Sequence, residues 1–138
     1  MFSLLHRNKP AFIQPRIAEA LLGTFSEYEL GVLSRLGTVI ELDEGAVLAT
    51  EGRIGQEAVI VLDGTAAVSR GDDIIATVGV GTILGEMALL NGEPRSASLV
   101  ATEPLTVIAM NRREFNTLLE QCPRLDKMVR ALAESRAA

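Results

Sequence analysis

The chain has 138 residues, 48% of them hydrophobic and 22% charged, enough apolar material for one core and too little length for a second ordinary domain. Thirteen Lys and Arg against eighteen Asp and Glu leave a formal charge of −5, so the chain as a whole repels a nucleic-acid backbone. No apolar run approaches the roughly 20 residues that span a bilayer, and a single Cys122 and a single His6 exclude an intramolecular disulfide, a cysteine metal cluster and a His-rich metal site.

Residues 1–18 carry Arg7, Lys9 and Arg16 with no acid. With Pro10 and Pro15 they read as a solvated, partly frayed basic arm, the alternative being an arm that touches an anionic partner. The Phe2 to Leu5 stretch is too short for the apolar core of a signal peptide, so a cytoplasmic address is expected. Residues 19–138 are expected to form the single domain. From Ile17 to Leu36, Leu21, Leu22, Phe25, Leu30, Leu33 and Leu36 fit helical faces interrupted near Gly23 and Thr24. Ser26 and Glu29 stand at capping-box spacing and restart the helix, and Gly37 is placed to end it.

From Thr38 to Asn111 the period changes. Val and Ile come in short runs separated by Gly, Asp and Asn at intervals of roughly 8–12 residues, the spacing of an all-β sandwich or barrel. Strands are predicted at Val39–Leu42, Val47–Thr50, Ala58–Leu62, Ala66–Ser69, Ile74–Val78, Ser98–Ala101 and Leu105–Met110. No crossover helix separates them, so the pairing is antiparallel. The helical period returns at Arg112, with Phe115, Leu118, Leu119 and Cys122 on one face, and Pro123 breaks the run. A last helix has Leu125, Met128, Val129 and Leu132 as its apolar stripe, with Arg124, Lys127, Arg130 and Arg136 assigned to its outer side. The fold class is therefore mainly β with flanking helices.

One stretch, Gly85 to Ala97, fits neither strand nor simple turn. Glu86 to Leu90 has helix-forming composition for about one turn, and Asn91-Gly92 offers a left-handed exit. The first amides of such a helix lack intrahelical acceptors, and Gly85 removes the Cβ that would keep an anion from them. Arg95, presented by the stiff Pro94, offers a planar fork of donors suited to phosphate oxygens, and Ser96 adds a hydroxyl. Glu86 repels phosphate unless the same ligand brings a hydroxyl, as a sugar phosphate does. Ala88 and Ala97 are small enough to let a ligand approach the backbone. The same residues fit a plainer arrangement, an Arg95–Glu86 ion pair closing the loop with Gly85 as an ordinary turn glycine, and composition and spacing do not separate the two.

Gly85-Glu86-Met87-Ala88-Leu89-Leu90, a short polar spacer and Pro94-Arg95-Ser96-Ala97-Ser98-Leu99-Val100-Ala101 resemble the phosphate-binding cassette of the cyclic nucleotide-binding domain family, the module of catabolite-activator-like regulators, cyclic-nucleotide-dependent kinases and ion channels. Gly45-Ala46-Val47-Leu48 before Glu51-Gly52, the Val59 to Gly64 strand and turn, and Val78-Gly79-Val80-Gly81 also resemble the family framework. The resemblance implies an eight-stranded jelly-roll-like β-barrel with flanking helices. It also implies a ligand site in which Arg95 pairs with the cyclic phosphate, Glu86 accepts from the ribose 2′-hydroxyl, amides near Met87 and Ala88 assist, and Ser96 bonds the phosphate. Ser at that position favours cAMP over cGMP. Leu84 stands where the family often has an aromatic residue.

The resemblance further implies a non-enzymatic sensor that signals through its C-terminal helices to a protein partner or a second copy of itself. The alternative is a nucleotide-independent interaction or assembly module on the same fold. No helix-turn-helix follows the last helix, so no direct DNA binding is expected, and that helix stops at Ala138, roughly where related regulators begin the helix that lids the base. No metal is expected. An enzyme has little to recommend it, because His6 lies outside the β region and Cys122 faces the predicted core.

Overall fold

The computed structural model describes Ile13 and residues 15–92 and 94–137. Arg7, Lys9 and most of the basic arm lie outside the described residues. The chain runs α1 (Pro15–Leu21), α2 (Glu27–Leu36), β1 (Thr38–Leu42), β2 (Val47–Ala49), β3 (Glu57–Asp63), β4 (Ala66–Arg70), β5 (Asp73–Val78), β6 (Ile83–Leu84), α3 (Glu86–Asn91), β7 (Ser98–Ala101), β8 (Leu105–Asn111), α4 (Arg112–Gln121) and α5 (Pro123–Ala137). All seven predicted strands are present. The eighth, β6, is two residues long, too short for any alternation to register.

Two four-stranded antiparallel sheets, ordered β1-β8-β3-β6 and β2-β7-β4-β5, make up the jelly roll. The buried residues divide into two groups, and β3 and β8 separate them. Val59 and Val61 of β3 and Val107 and Ala109 of β8 face the other sheet, with Ile40, Leu48, Leu84 and Leu99. Ala58, Ile60, Leu62, Ile108 and Met110 face the opposite way, against Leu21, Phe25, Leu33, Phe115, Leu118, Leu125 and Val129 of the helices. Register keeps the groups apart: Val59 pairs with Ala109 and Ile60 with Ile108, each pair within one group. Both faces of these two strands are therefore apolar.

Helix boundaries follow local chemistry. The Ser26 hydroxyl accepts from the Glu29 N–H at 3.1 Å, and the Glu29 carboxylate accepts from the Ser26 N–H at 2.8 Å, which is the expected capping box. A second box starts α4, where Asn111 and Glu114 exchange two bonds of 2.8 Å. Gly37 does end α2, for a different reason than a left-handed cap. Its φ is −92°, and a Cβ there would lie 2.7 Å from Ile108 Cδ1 and 3.3 Å from the Ala109 carbonyl oxygen, so the glycine admits the sheet against the helix. Cys122 is buried; burial, then the Glu29 charge, push its thiol pKa up, consistent with an inert core residue.

Arg124, assigned to the outer side of the last helix, ties α5 to the start of α2. Its Nε donates to Glu29 Oε2 at 3.0 Å, its Nη2 donates to Glu29 Oε1, and Nη2 also reaches the Thr24 carbonyl at 2.7 Å. Burial alone would raise the Glu29 pKa, but the Arg124 hydrogen bonds, the Ser26 N–H and the Arg124 charge outweigh it and the net shift is downward. A carboxyl with a lowered folded pKa contributes stability that is complete above its unfolded value of about 4.3 and is lost as the pH falls through the folded value. We therefore expect Glu29→Gln to melt below wild type at pH 7, with the gap closing as the pH drops below about 4. Melting curves showing a constant gap from neutral pH to pH 3 would contradict this.

Candidate functional site

A cavity of about 380 Å³ opens between the sheets beside α3, within the range of small-molecule sites. Its walls are the inner apolar side chains Leu48, Val59, Val68, Leu84 and Leu99, and its polar groups come from Glu57, Glu86, Arg70, Arg95, Ser96, Ser98 and Arg136. Leu84 is buried and keeps its part of the wall apolar.

Gly85 makes the polar end possible. Its φ of +85° is a left-handed conformation costly to other residues. A Cβ there would overlap the Arg95 guanidinium and lie 2.8 Å from the Glu57 carbonyl oxygen. The missing Cβ therefore makes room for the chain's own arginine, a role additional to the one expected from the sequence, access of an anion to the first amides of α3. The turn delivers the chain into α3, whose backbone includes Met87 and Ala88. Gly92 follows with φ +67°, the expected left-handed exit, and Arg112 Nη1 donates to the Leu89 carbonyl, fastening α3 to α4.

Arg95 is half-buried. Its Nη2 donates to the Glu57 carbonyl oxygen at 2.7 Å, and its backbone is fixed on both sides, its N–H donating to the Arg53 carbonyl at 2.7 Å and its carbonyl accepting from the Gly52 N–H at 2.8 Å. Pro94 pairs with Ile54 in the same crossing. Burial lowers the guanidinium pKa from its ordinary value and the Glu86 charge works against that; the group stays cationic. Ser96 is exposed at the rim, with its carbonyl accepting from Arg70 Nε at 3.1 Å. Ala97 is half-buried and also lines the cavity.

Glu86 is 1% exposed. Its ion-pair partner is Arg136, from the last turn of α5, whose Nη1 lies 2.6 Å from Oε1. The loop-closing Arg95–Glu86 pair is thus not the arrangement adopted. Glu86 Oε2 is buried and has no hydrogen-bond partner among the described residues. Buried carboxylate oxygens are rarely left so, and an acceptor of this kind at a cavity wall suits a hydroxyl donor.

The structure thus brings Gly85, Glu86, Arg95, Ser96 and Ala97 to one cavity and puts the Met87 and Ala88 backbone in the adjoining helix. Sequence reasoning missed Arg70, Glu57 and Arg136. Arg136 is exposed, as expected for the outer side, yet it lies four residues after Leu132 and seven after Val129, in phase with the apolar stripe, and its guanidinium reaches Glu86. Nothing in the sequence marks Arg70 or Glu57, whose roles depend on the sheet register.

A family model described as "Cyclic nucleotide-binding domain" matches residues 39–122, from β1 through α4. Among curated proteins, the cAMP-dependent protein kinase regulatory subunit of Hypocrea atroviridis is 30% identical over 99 residues, 72% of this chain and 21% of that protein. Among solved structures, "Sp-2Cl-cAMPS bound to PKAR CBD2" superposes with a TM-score of 0.72 at 27% identity, covering 86% of this chain and 80% of the other. The Thermus thermophilus catabolite activator protein does so with a TM-score of 0.75 at 25% identity, covering 85% of this chain and 57% of the other. The chain spans only about a fifth to a quarter of the first curated relatives it matches.

Proposed function

This chain belongs to the cyclic nucleotide-binding domain family, and we propose that it is a non-enzymatic sensor that binds cAMP, and cGMP less well, and signals to a partner through its C-terminal helices. The observation that carries this reading is the pairing, at one apolar cavity, of a half-buried guanidinium with a buried carboxylate that keeps one oxygen unspent. A cyclic nucleotide supplies what each lacks: a phosphate diester for Arg95, a ribose hydroxyl for Glu86 and a base for the apolar wall.

Charge supports the same reading. Among the cavity-lining residues, Arg70, Arg95 and Arg136 stand against Glu57 and Glu86, one positive charge in excess on a chain whose net charge is −5. That excess matches the single negative charge of a cyclic diester. The Met87 and Ala88 amides and the Ser96 hydroxyl complete the phosphate site, and Gly85 and Ala97 keep it uncrowded. The signal leaves by α5, which packs against both α4 and α3. The receiver is a protein partner or a second copy of the chain. No described helix is long and apolar enough to cross a membrane, in keeping with a cytoplasmic sensor.

Calorimetric titration with cAMP and cGMP side by side tests the ligand. Saturable heat with cAMP binding tighter is expected, and no heat at millimolar nucleotide would overturn the reading. Sedimentation with and without cAMP tests the signal: identical profiles together with absent binding would instead favour a ligand-independent assembly module.

A further inference from the structure

We propose that Arg70 and Glu51 form a clasp that holds the tip of the β4–β5 hairpin against Ser96 and Ser98, at the exit of the cassette, and that this clasp sets how long the cavity retains its ligand. This rests on the cyclic-nucleotide reading of the cavity and adds to it two positioning residues.

One side of the cavity is a hairpin at the margin of its sheet. Val68, Arg70, Ile75, Ala76 and Val78 all line the cavity, and all belong to β4 or β5. β5 ends its sheet with β4 as its neighbour, and its residues from Asp73 to Thr77 are exposed. The ladder between the two strands is interrupted. Val68 pairs with Ala76 and Ser69 with Ile74, which leaves Ile75 as the extra residue of a bulge. β4 is paired to β7 from Ala66 to Ser69, so Arg70 and the turn after it run past the register that anchors the strand. An exposed edge and an interrupted ladder mark a segment that opens locally at low cost.

Two side chains fasten that tip. Arg70 follows Val68 by two positions and so shares its face of β4, and its Nε donates to the Ser96 carbonyl at 3.1 Å. The Gly71 N–H, in the turn itself, donates to Glu51 Oε1 at 2.9 Å. Glu51 is steadied in its own loop by a 2.9 Å bond from its N–H to the Ser98 hydroxyl. Gly52 and Arg53, next along that loop, hold the Arg95 backbone on both sides. The hairpin tip, the Glu51 loop and the segment from Arg95 to Ser98 are therefore tied to one another at the rim of the cavity. Opening the tip carries Ile75 and Arg70 away from the cavity and releases the Ser96 carbonyl, so a ligand resting on that wall leaves faster when either fastening is cut. Both bonds hold the same element, so once the tip is loose a second cut adds little.

The test measures cAMP association and dissociation rates on the full chain by surface plasmon resonance, with hydrogen exchange over residues 69–76 in the absence of ligand. Arg70→Ala and Glu51→Ala are each expected to raise the dissociation rate roughly two- to tenfold, the worth of one typical hydrogen bond, with a smaller change in the association rate. Exchange over the hairpin tip should speed up in both variants, and the double variant should lose less than the product of the two single effects. Melting curves check that each variant folds. Faster dissociation from Arg70→Ala with wild-type dissociation from Glu51→Ala would overturn the clasp, since Arg70 would then be touching the ligand directly. Unchanged exchange in both variants would overturn it as well. Should wild type bind neither cAMP nor cGMP, the nucleotide reading fails and the retention role with it, whereas wild-type rates in both variants of a chain that does bind remove the clasp alone.

Discussion

Replacing Arg95 by Ala is expected to weaken cAMP binding by about 2–5 kcal/mol, roughly 30- to 5,000-fold, the range for truncating one partner of a buried charge pair. Two features put the effect in this range. The guanidinium is half-buried and already oriented by its bond to the Glu57 carbonyl, so little ordering remains when a phosphate arrives. Its backbone is pinned to Arg53 and Gly52, so the guanidinium is presented from a fixed base. Arg95→Lys should recover only part of the loss, because an ammonium keeps the charge and lacks the planar fork. Calorimetry of the three proteins checks the ordering, and equal affinities would remove Arg95 from the site.

Gly85→Ala is expected to cost about 2–5 kcal/mol of folding stability, adding about 1–2 for a left-handed residue with a Cβ to about 1–3 for overpacking. The methyl meets backbone as well as side chain. Arg95 could swing aside, but the Glu57 carbonyl oxygen, 2.8 Å from the added atom, belongs to a central strand and cannot. Binding should fall along with stability, since the arginine that moves is the one proposed to hold the phosphate. Chemical denaturation and nucleotide titration on the same variant measure both. A Gly92→Ala control carries the left-handed penalty alone, because nothing lies within 4 Å of a Cβ there, so equal losses at the two glycines would refute the crowding argument.

The order helix, sheet, helix was legible because the hydrophobic period changes from 3.6 to 2 and back, and the cassette because it fits neither period. Limits of the same signal explain what was missed. β6 is too short to alternate. Arg136 continues the phase of Val129 and Leu132, yet the partner its guanidinium reaches, Glu86, lies fifty residues away in the chain. The room that Gly85 leaves for Arg95 was also out of reach, since the atoms a Cβ would strike belong to Arg95 and Glu57, which only the folded register brings together. Local chemistry, by contrast, was readable: Ser26 and Glu29 formed the box their spacing required.

The most direct test is a crystal structure of the chain grown with cAMP. It should show the diester within hydrogen-bond distance of the Arg95 guanidinium, the ribose 2′-hydroxyl on Glu86 Oε2, and the base against the wall formed by Val68 and Leu84. A nucleotide seated elsewhere, or one whose phosphate turns away from Arg95 toward solvent, would contradict the account.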